Sequence, residues 1–149
     1  MKIRLYESRD LEPLLAMWHE TKRVAFPYVA VMQQYTLDDD RGYFQNEILR
    51  TCEVWVAEAG GEIIGLLALD KELIDQLFVH QDRQRRGVGA ALLAKARERS
   101  PEHLRLFTFE KNESARAFYE RHGFRAINFQ ISPPPESEPD VEYEWRATE

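Results

Sequence analysis

Apolar and polar positions change period several times along the chain, and each change marks an element. Ile3 and Leu5 alternate with polar neighbours, the two-residue period of a short strand. Leu11, Leu14, Leu15 and Trp18 fall on one helical face, which predicts a helix over residues 11–19 with Ser8 as its N-cap. Pro27 interrupts the next stretch, so residues 24–34 read as a loop or a short broken helix. Thr36 followed by Asp39 reads as a capping box for a helix running toward Leu49.

The period then shortens. Val54, Trp55, Val56 and Ala57 predict a strand, Gly60-Gly61 a tight turn, and residues 63–69 the return strand of a hairpin. A further strand is expected over 73–79, a helix over 87–99, and a strand over 104–109 after Pro101. Asn112 opens another helix, with Ala115, Phe118 and Tyr119 at helical spacing and Gly123 where a terminating glycine belongs. Strands over 124–131 and 141–145 flank the Pro133-Pro134-Pro135 loop. Helices that follow strands imply crossovers, while Gly60-Gly61 implies an antiparallel pair, so the fold class is α/β with a mixed sheet. No repeat or linker divides the chain, and one domain over residues 1–149 is expected.

Composition narrows the function. The chain has 149 residues, 31% of them charged, and a net charge of −6, which suits a globular domain and disfavours non-specific nucleic-acid binding. The acid balance is compatible with a cationic substrate such as a polyamine, an aminoglycoside or a lysine-bearing peptide. No apolar run approaches bilayer length and the N-terminus lacks a signal-peptide pattern, so no membrane partner and a cytoplasmic location are expected. Cys52, the only cysteine, excludes an internal disulfide and reads as a half-buried strand residue.

One segment carries chemistry: Leu77-Phe78-Val79-His80-Gln81-Asp82-Arg83-Gln84-Arg85-Arg86-Gly87-Val88-Gly89-Ala90. It sets two glycines between a strand and a helix, where backbone N–H groups and the helix N-terminus favour an anion, and Arg83, Arg85 and Arg86 add charge. A phosphate or pyrophosphate fits such a turn. Leu92 stands where a dinucleotide fingerprint needs a third glycine, and Ala90 and Ala91 stand where a Walker A loop needs Lys-Ser/Thr. His19-Glu20 lacks the second histidine of a zincin, since Arg23 occupies that place, and Asp38-Asp39-Asp40 does not fit a calcium loop. No metal is expected; His80, His103 and His122 read as structural or solvent-facing.

Gln84-Arg85-Arg86-Gly87-Val88-Gly89 resembles the Gln/Arg-x-x-Gly-x-Gly/Ala motif of the GNAT N-acetyltransferase superfamily. Asn112-Glu113-Ser114-Ala115-Arg116-Ala117-Phe118-Tyr119, followed by Gly123-Phe124, resembles that family's second motif. The resemblance implies a mostly antiparallel sheet splayed at the cofactor strand, with acetyl-CoA as cofactor. It implies that the backbone of Leu77, Phe78 and Val79 pairs with the pantetheine arm and that Gln84 and the N–H groups of Arg85, Arg86, Gly87, Val88, Gly89 and Ala90 wrap the pyrophosphate. Asn112 would bond the cofactor, Phe118 would pack inside, and Tyr119 would face the sulfur and protonate the leaving thiolate.

A backbone N–H near Phe78 or Val79 is the candidate for polarising the thioester carbonyl. Some relatives carry a glutamate base where this chain has Phe107, so Asp75, or else Glu110, is the candidate base. Trp18, Tyr28, Tyr35 and Trp145 are candidate walls of an amine pocket. The expected partner is an amine-bearing small molecule or peptide, with a homodimer as a further candidate. The competing expectation is a non-catalytic acyl-CoA sensor, which would have no need of Tyr119.

Overall fold

The apolar run around Leu66 and Leu67 becomes β3 (Glu62–Asp70), on which both layers of the core rest. Ile64, Leu67 and Leu69 pack with Leu92, Leu93, Leu104 and Tyr143 on one face. Ile63, Leu66 and Ala68 pack with Leu14, Leu15, Trp18 and Phe44 on the other. A strand covered on both faces has no polar side to alternate with, which is why its sequence is continuously apolar. The computed structural model describes residues 1–148.

Around β3 lie β1 (Lys2–Leu5), β2 (Glu53–Ala59), β4 (Leu73–Val79), β5 (His103–Phe109), β6 (Arg125–Ile131) and β7 (Pro139–Arg146). They form a seven-stranded open sheet in the order β1-β2-β3-β4-β5-β7-β6. Every neighbouring pair is antiparallel except β4 and β5, which are parallel and joined through the crossover helix α5 (Val88–Arg99). The sheet is therefore mixed and mostly antiparallel, as the sequence and the family resemblance led one to expect. The remaining helices are α1 (Leu11–Ala25), α2 (Ala30–Gln34), α3 (Leu37–Tyr43), α4 (Leu49–Thr51) and α6 (Glu113–Arg121), with a π-helical turn at Phe44–Ile48 between α3 and α4.

The local signals mostly hold. Thr36 and Asp39 form the capping box, with the Thr36 hydroxyl accepting from the Asp39 N–H at 3.0 Å and the Asp39 carboxylate from the Thr36 N–H at 2.8 Å. The start of α1 differs from the expectation. Asp10, not Ser8, is the anchor there: its carboxylate accepts from the Glu7 N–H at 2.8 Å and from both Arg4 terminal nitrogens at 2.8 Å. That pairing holds the Asp10 carboxyl below its ordinary range, mainly through the Arg4 hydrogen bond. The helix also runs past His19 to Ala25, and ends where Phe26, ahead of Pro27, leaves helical angles. Cys52 sits just after α4 rather than in the strand.

Where β3 passes under α5 there is room for no side chain. A Cβ on Gly65 would lie 2.9 Å from Leu92 Cδ1 and 3.2 Å from both Val88 Cγ1 and Ala57 Cβ. Gly65→Ala is expected to destabilise the protein by about 1–3 kcal/mol, because overpacking outweighs the smaller gain from a stiffer unfolded chain. An unchanged midpoint in urea denaturation would contradict this packing.

Candidate active site

β4 and β5 stay together for only two residue pairs, Leu73 with Arg105 and Ile74 with Leu106. Beyond them β4 continues to Val79 and β5 to Phe109 without pairing to each other, so the sheet is splayed where the sequence reading placed the cofactor strand. Asp75 is the extra residue of a β-bulge, since Leu69 pairs with Ile74 and Ala68 with Gln76. Bulges raise local twist and re-aim side chains, which turns β4 away from β5. Because the His80 N–H donates to the Ile64 carbonyl at 2.8 Å, strand alternation points the polar groups of Phe78 at β3 and those of Leu77 and Val79 at the opening.

The turn after β4 has backbone angles that few residues accept. Arg85 and Gly87 have φ of 64° and 84°, both in the left-handed region. The Gln84 side-chain amide donates to the Val79 carbonyl at 3.2 Å and so ties the turn to the strand. Among the described residues, no N–H from 85 to 90 donates to another protein group. These free donors border a cavity of about 840 Å³, whose lining includes Leu77, Phe78, Val79, Gln84, Arg85, Gly87, Gly89 and Ala90. Arg86 and Val88 do not line it: Arg86 points to solvent and Val88 packs in the core, leaving only their backbone for a ligand. Arg83 is paired with Glu62 at 3.0 Å.

Asn112 and Tyr119 project from opposite ends of α6. The Asn112 side-chain carbonyl accepts from the Ala115 N–H at 3.3 Å, capping the helix and leaving its NH₂ free of that bond. Tyr119 is 7% exposed, and its hydroxyl makes no protein hydrogen bond among the described residues. Burial pushes its phenol above the ordinary tyrosine range. Phe118 is only half-buried, in contrast to the expectation: it covers the turn, where a Cβ on Gly89 would lie 3.3 Å from its ring.

A second cavity, of about 760 Å³, opens beyond Tyr119. It shares Phe26, Leu77, Phe78, Asn112, Ala115 and Tyr119 with the first, so the two meet at the β4–β5 opening. Asp75 lies on its wall, and desolvation, with the nearby Asp70 charge, raises the Asp75 carboxyl above its ordinary range. Glu110 and Cys52 line neither cavity. Of the four aromatics expected in an amine pocket, Trp18 and Tyr35 line this cavity. Tyr28 packs edge-on against Phe26 and Phe109 behind the wall, and Trp145 lies 4.7 Å from the Arg97 guanidinium on the far side of the sheet.

The histidines serve structure: His80 Nδ1 accepts from the Asp82 N–H at 3.0 Å, and His122 Nδ1 lies 2.9 Å from the Phe118 carbonyl. Among the described residues no cluster of ligating side chains could hold a metal ion.

The family model for the acetyltransferase (GNAT) domain matches residues 50–126, from the end of α4 to the start of β6. The chain belongs to the GNAT acetyltransferase family. It is 27% identical over 127 residues to the peptidyl-lysine N-acetyltransferase YiaC of Escherichia coli, covering 85% of this chain and 84% of that one. The solution structure of apo YjaB from Escherichia coli superposes with a TM-score of 0.81 at 24% identity, covering 97% and 96% of the two chains. PaiA N-acetyltransferase from Thermoplasma acidophilum, in complex with coenzyme A, superposes at 0.79 with 19% identity, covering 97% and 98%. Those two likenesses establish the GNAT fold.

GNAT enzymes use acetyl-CoA, and the chain is an acyl-CoA-dependent N-acetyltransferase. The turn-side cavity fits that cofactor on its own chemistry. It has unpartnered N–H donors and lining side chains that include Arg85 and Arg121 but no carboxylate, as a polyanionic pyrophosphate requires. Arg121 was missed by sequence reasoning although a signal existed: Ser114, Ala117, Phe118 and Arg121 form one helical stripe, and all four line the cavity. Lys22 and Asp40, on the wall of the other cavity, had no such signal, because separate helices bring them together.

Gly87→Val and Gly89→Val test the turn. The first forces a branched side chain into φ 84°, and the second pushes against Phe118. Calorimetry with CoA should show binding weakened about tenfold or more, the scale of one lost charge-assisted hydrogen bond. Unchanged affinity in a folded Gly89→Val protein would remove the pyrophosphate assignment.

Proposed function

We propose that residues 1–149 form one acetyltransferase domain that moves the acetyl group of acetyl-CoA directly onto a primary amine of a small molecule or peptide. The observation that carries the reading is the meeting of the two cavities at the β4–β5 opening, with Tyr119 common to both and Asp75 on the far side. The relatives YiaC and YjaB, named as peptidyl-lysine N-acetyltransferases, favour an amine-bearing peptide among the acceptors. The single Cys52 leaves no disulfide to require an oxidising compartment, and we place the reaction in the cytoplasm.

Acetyl-CoA supplies an acyl group activated as a thioester. The free N–H groups of residues 85–90 and the Arg85 guanidinium hold the pyrophosphate, while the Leu77 and Val79 backbone pairs with the pantetheine arm as an added strand would. The Val79 N–H, aimed at the opening, is placed to stabilise negative charge on the acetyl oxygen. An amine in the second cavity attacks only when neutral. Asp75, acting through water, accepts its proton, and desolvation makes that carboxylate a stronger base than an ordinary aspartate. Tyr119, kept protonated by burial, donates its hydroxyl proton toward the sulfur as the C–S bond breaks.

Two measurements test these roles. Tyr119→Phe should bind acetyl-CoA nearly as the unaltered protein does but turn over about 10² to 10⁴ times more slowly, since only the positioned acid is lost. Full turnover in that variant would contradict the assignment. For Asp75, the base form exists only above its raised pKa. The acid limb of kcat at saturating amine should therefore lie above the usual carboxylate range, with activity lost as pH falls through it. Asp75→Asn should remove that limb and lower the plateau. A limb that persists in the variant would assign it to another group.

A further inference from the structure

The rim of the cavity beyond Tyr119 is built from two elements with no part in the mechanism above. On one side is the segment from Val29 to Thr36, which carries α2, and on the other the loop between β6 and β7. Met32 and Tyr35 of the first, and Pro134, Pro135 and Glu136 of the second, line the cavity. Its floor is different in kind, since Trp18, Lys22, Asp40, Ser132 and Asp140 are all buried. Gln33 and Gln34 beside Tyr35, and Pro134 and Pro135 beside Glu136, are exposed, so these two residues stand where the cavity meets solvent.

The two sides differ in how firmly they are held. The loop is closed at its base: the Ser132 N–H donates to the Glu138 carbonyl at 2.8 Å, and the Glu138 N–H to the Ser132 hydroxyl at 3.0 Å. Pro133, Pro134 and Pro135 restrict its backbone to few conformations. By contrast, α2 buries none of its five residues, and Val29 gives it no side-chain cap. The Met32 and Tyr35 N–H groups close its turn on the Val29 and Val31 carbonyls at 3.0 and 3.2 Å. The Gln33 side-chain amide ties it to the Arg23 and Phe26 carbonyls at 3.1 and 3.0 Å. A short helix with no buried side chain opens at low cost. Across the rim, the Tyr35 hydroxyl donates to the Glu136 carboxylate at 3.2 Å. Burial, with the Glu136 charge, pushes the Tyr35 phenol up to about 12, so the hydroxyl stays a donor.

On the reading that the cavity takes an amine acceptor, we infer that the Tyr35–Glu136 bond is a latch that selects acceptors by size, with α2 the movable side of the rim and the proline loop its fixed stop. A short alkylamine is enclosed whole by a cavity of about 760 Å³. A lysine within a peptide leaves its main chain at the rim, where the latch crosses. Such an acceptor reacts only from the open state, and its apparent affinity falls with the fraction of time α2 is open. Tyr35 acts through the position of α2 and touches no reacting atom, so its role is specificity and not catalysis.

Initial rates of thiol release at saturating acetyl-CoA, with n-butylamine and a capped single-lysine peptide as acceptors, test the latch. The ratio of kcat/KM for the peptide to that for n-butylamine should rise about three- to tenfold in Tyr35→Phe and in Glu136→Ala, the population change expected from one lost hydrogen bond. Glu136→Gln keeps an acceptor oxygen and should stay near the unaltered ratio. Tyr35→Phe and Glu136→Ala remove the same bond, so combining them should raise the ratio no further than either does alone. A ratio that is unchanged or lower in both single variants, or that multiplies in the double variant, overturns the latch while leaving amine acetylation standing. If neither acceptor releases thiol from the unaltered protein, the acceptor reading fails instead. Amide hydrogen exchange followed by NMR decides the latch without turnover. Tyr35→Phe should speed exchange at positions 32 and 35 several-fold and leave Ser132 and Glu138 as they are. An equal change on both sides of the rim, or none in α2, overturns the latch.

Discussion

The functional architecture depends on one constraint: β4 and β5 are hydrogen-bonded at Leu73 and Ile74 and then diverge. An unpaired stretch of strand inside a sheet is unfavourable, because each exposed N–H and C=O loses a ladder partner. Two features hold the gap open. The bulge at Asp75 twists β4 away from its neighbour. Phe26 stands against both strands, its ring centre 6.1 Å from that of Phe78 and 4.9 Å from that of Phe109. The aromatic wedge joins α1 to the splay, and Tyr119 fills the opposite side. The backbone groups of Leu77 and the N–H of Val79 are thereby left for a ligand that can complete the sheet edge, while the Val79 carbonyl accepts from Gln84.

The separation also sorts charge. On the turn side the cavity presents Arg85, Arg121 and backbone N–H groups, with no carboxylate among its described lining residues. On the acceptor side carboxylates dominate. On the proposed reading, a cofactor that is anionic at its pyrophosphate and an acceptor that is cationic before it reacts would be drawn to opposite ends of one passage. Their reactive atoms would then meet at the residues both cavities share, Leu77, Phe78 and Tyr119 among them. Electrostatic sorting of this kind acts before any close contact and favours the productive orientation.

Features that depend on a few adjacent residues were legible in the sequence. The Thr36–Asp39 box, the glycine turn before α5, the Asn112 start of α6 and the β2–β3 hairpin each follow from local chemistry or period. The family motifs led to the turn and to Tyr119, because both lie on contiguous segments. The start of α1 was misread, since Arg4 reaches back from β1 to Asp10 and overrides the local preference for Ser8. Phe118 was assigned wholly to the core, whereas it covers Gly89. Helical geometry sets it about 100° from Tyr119, and only the position of the turn decides which ring goes deeper.

The acceptor side was the least legible part, for a physical reason. Lys22 comes from α1, Asp40 from α3, Asp75 from the β4 bulge, Glu136 from a loop and Asp140 from β7. No period links them, and each carboxylate alone reads as a solvated surface group. Burial changes the meaning of Lys22, Asp40 and Asp140, whereas Asp75 stays exposed and Glu136 half-buried. Desolvation pulls the Lys22 ammonium below its ordinary range, and the Asp40 hydrogen bond opposes that pull. Removing Asp40 alone would strand a buried cation, so the pair is best regarded as one neutral unit that walls the cavity. Asp140 has no such cation, and desolvation, with Glu142 nearby and the Gln130 side chain opposing, raises its carboxyl. The two buried aspartates therefore differ in kind: Asp40 is compensated by Lys22 within the fold, whereas Asp140 has no cation within salt-bridge distance among the described residues. A buried carboxyl with no cationic partner avoids the cost of its charge by holding its proton more tightly, which is the direction desolvation gives Asp140.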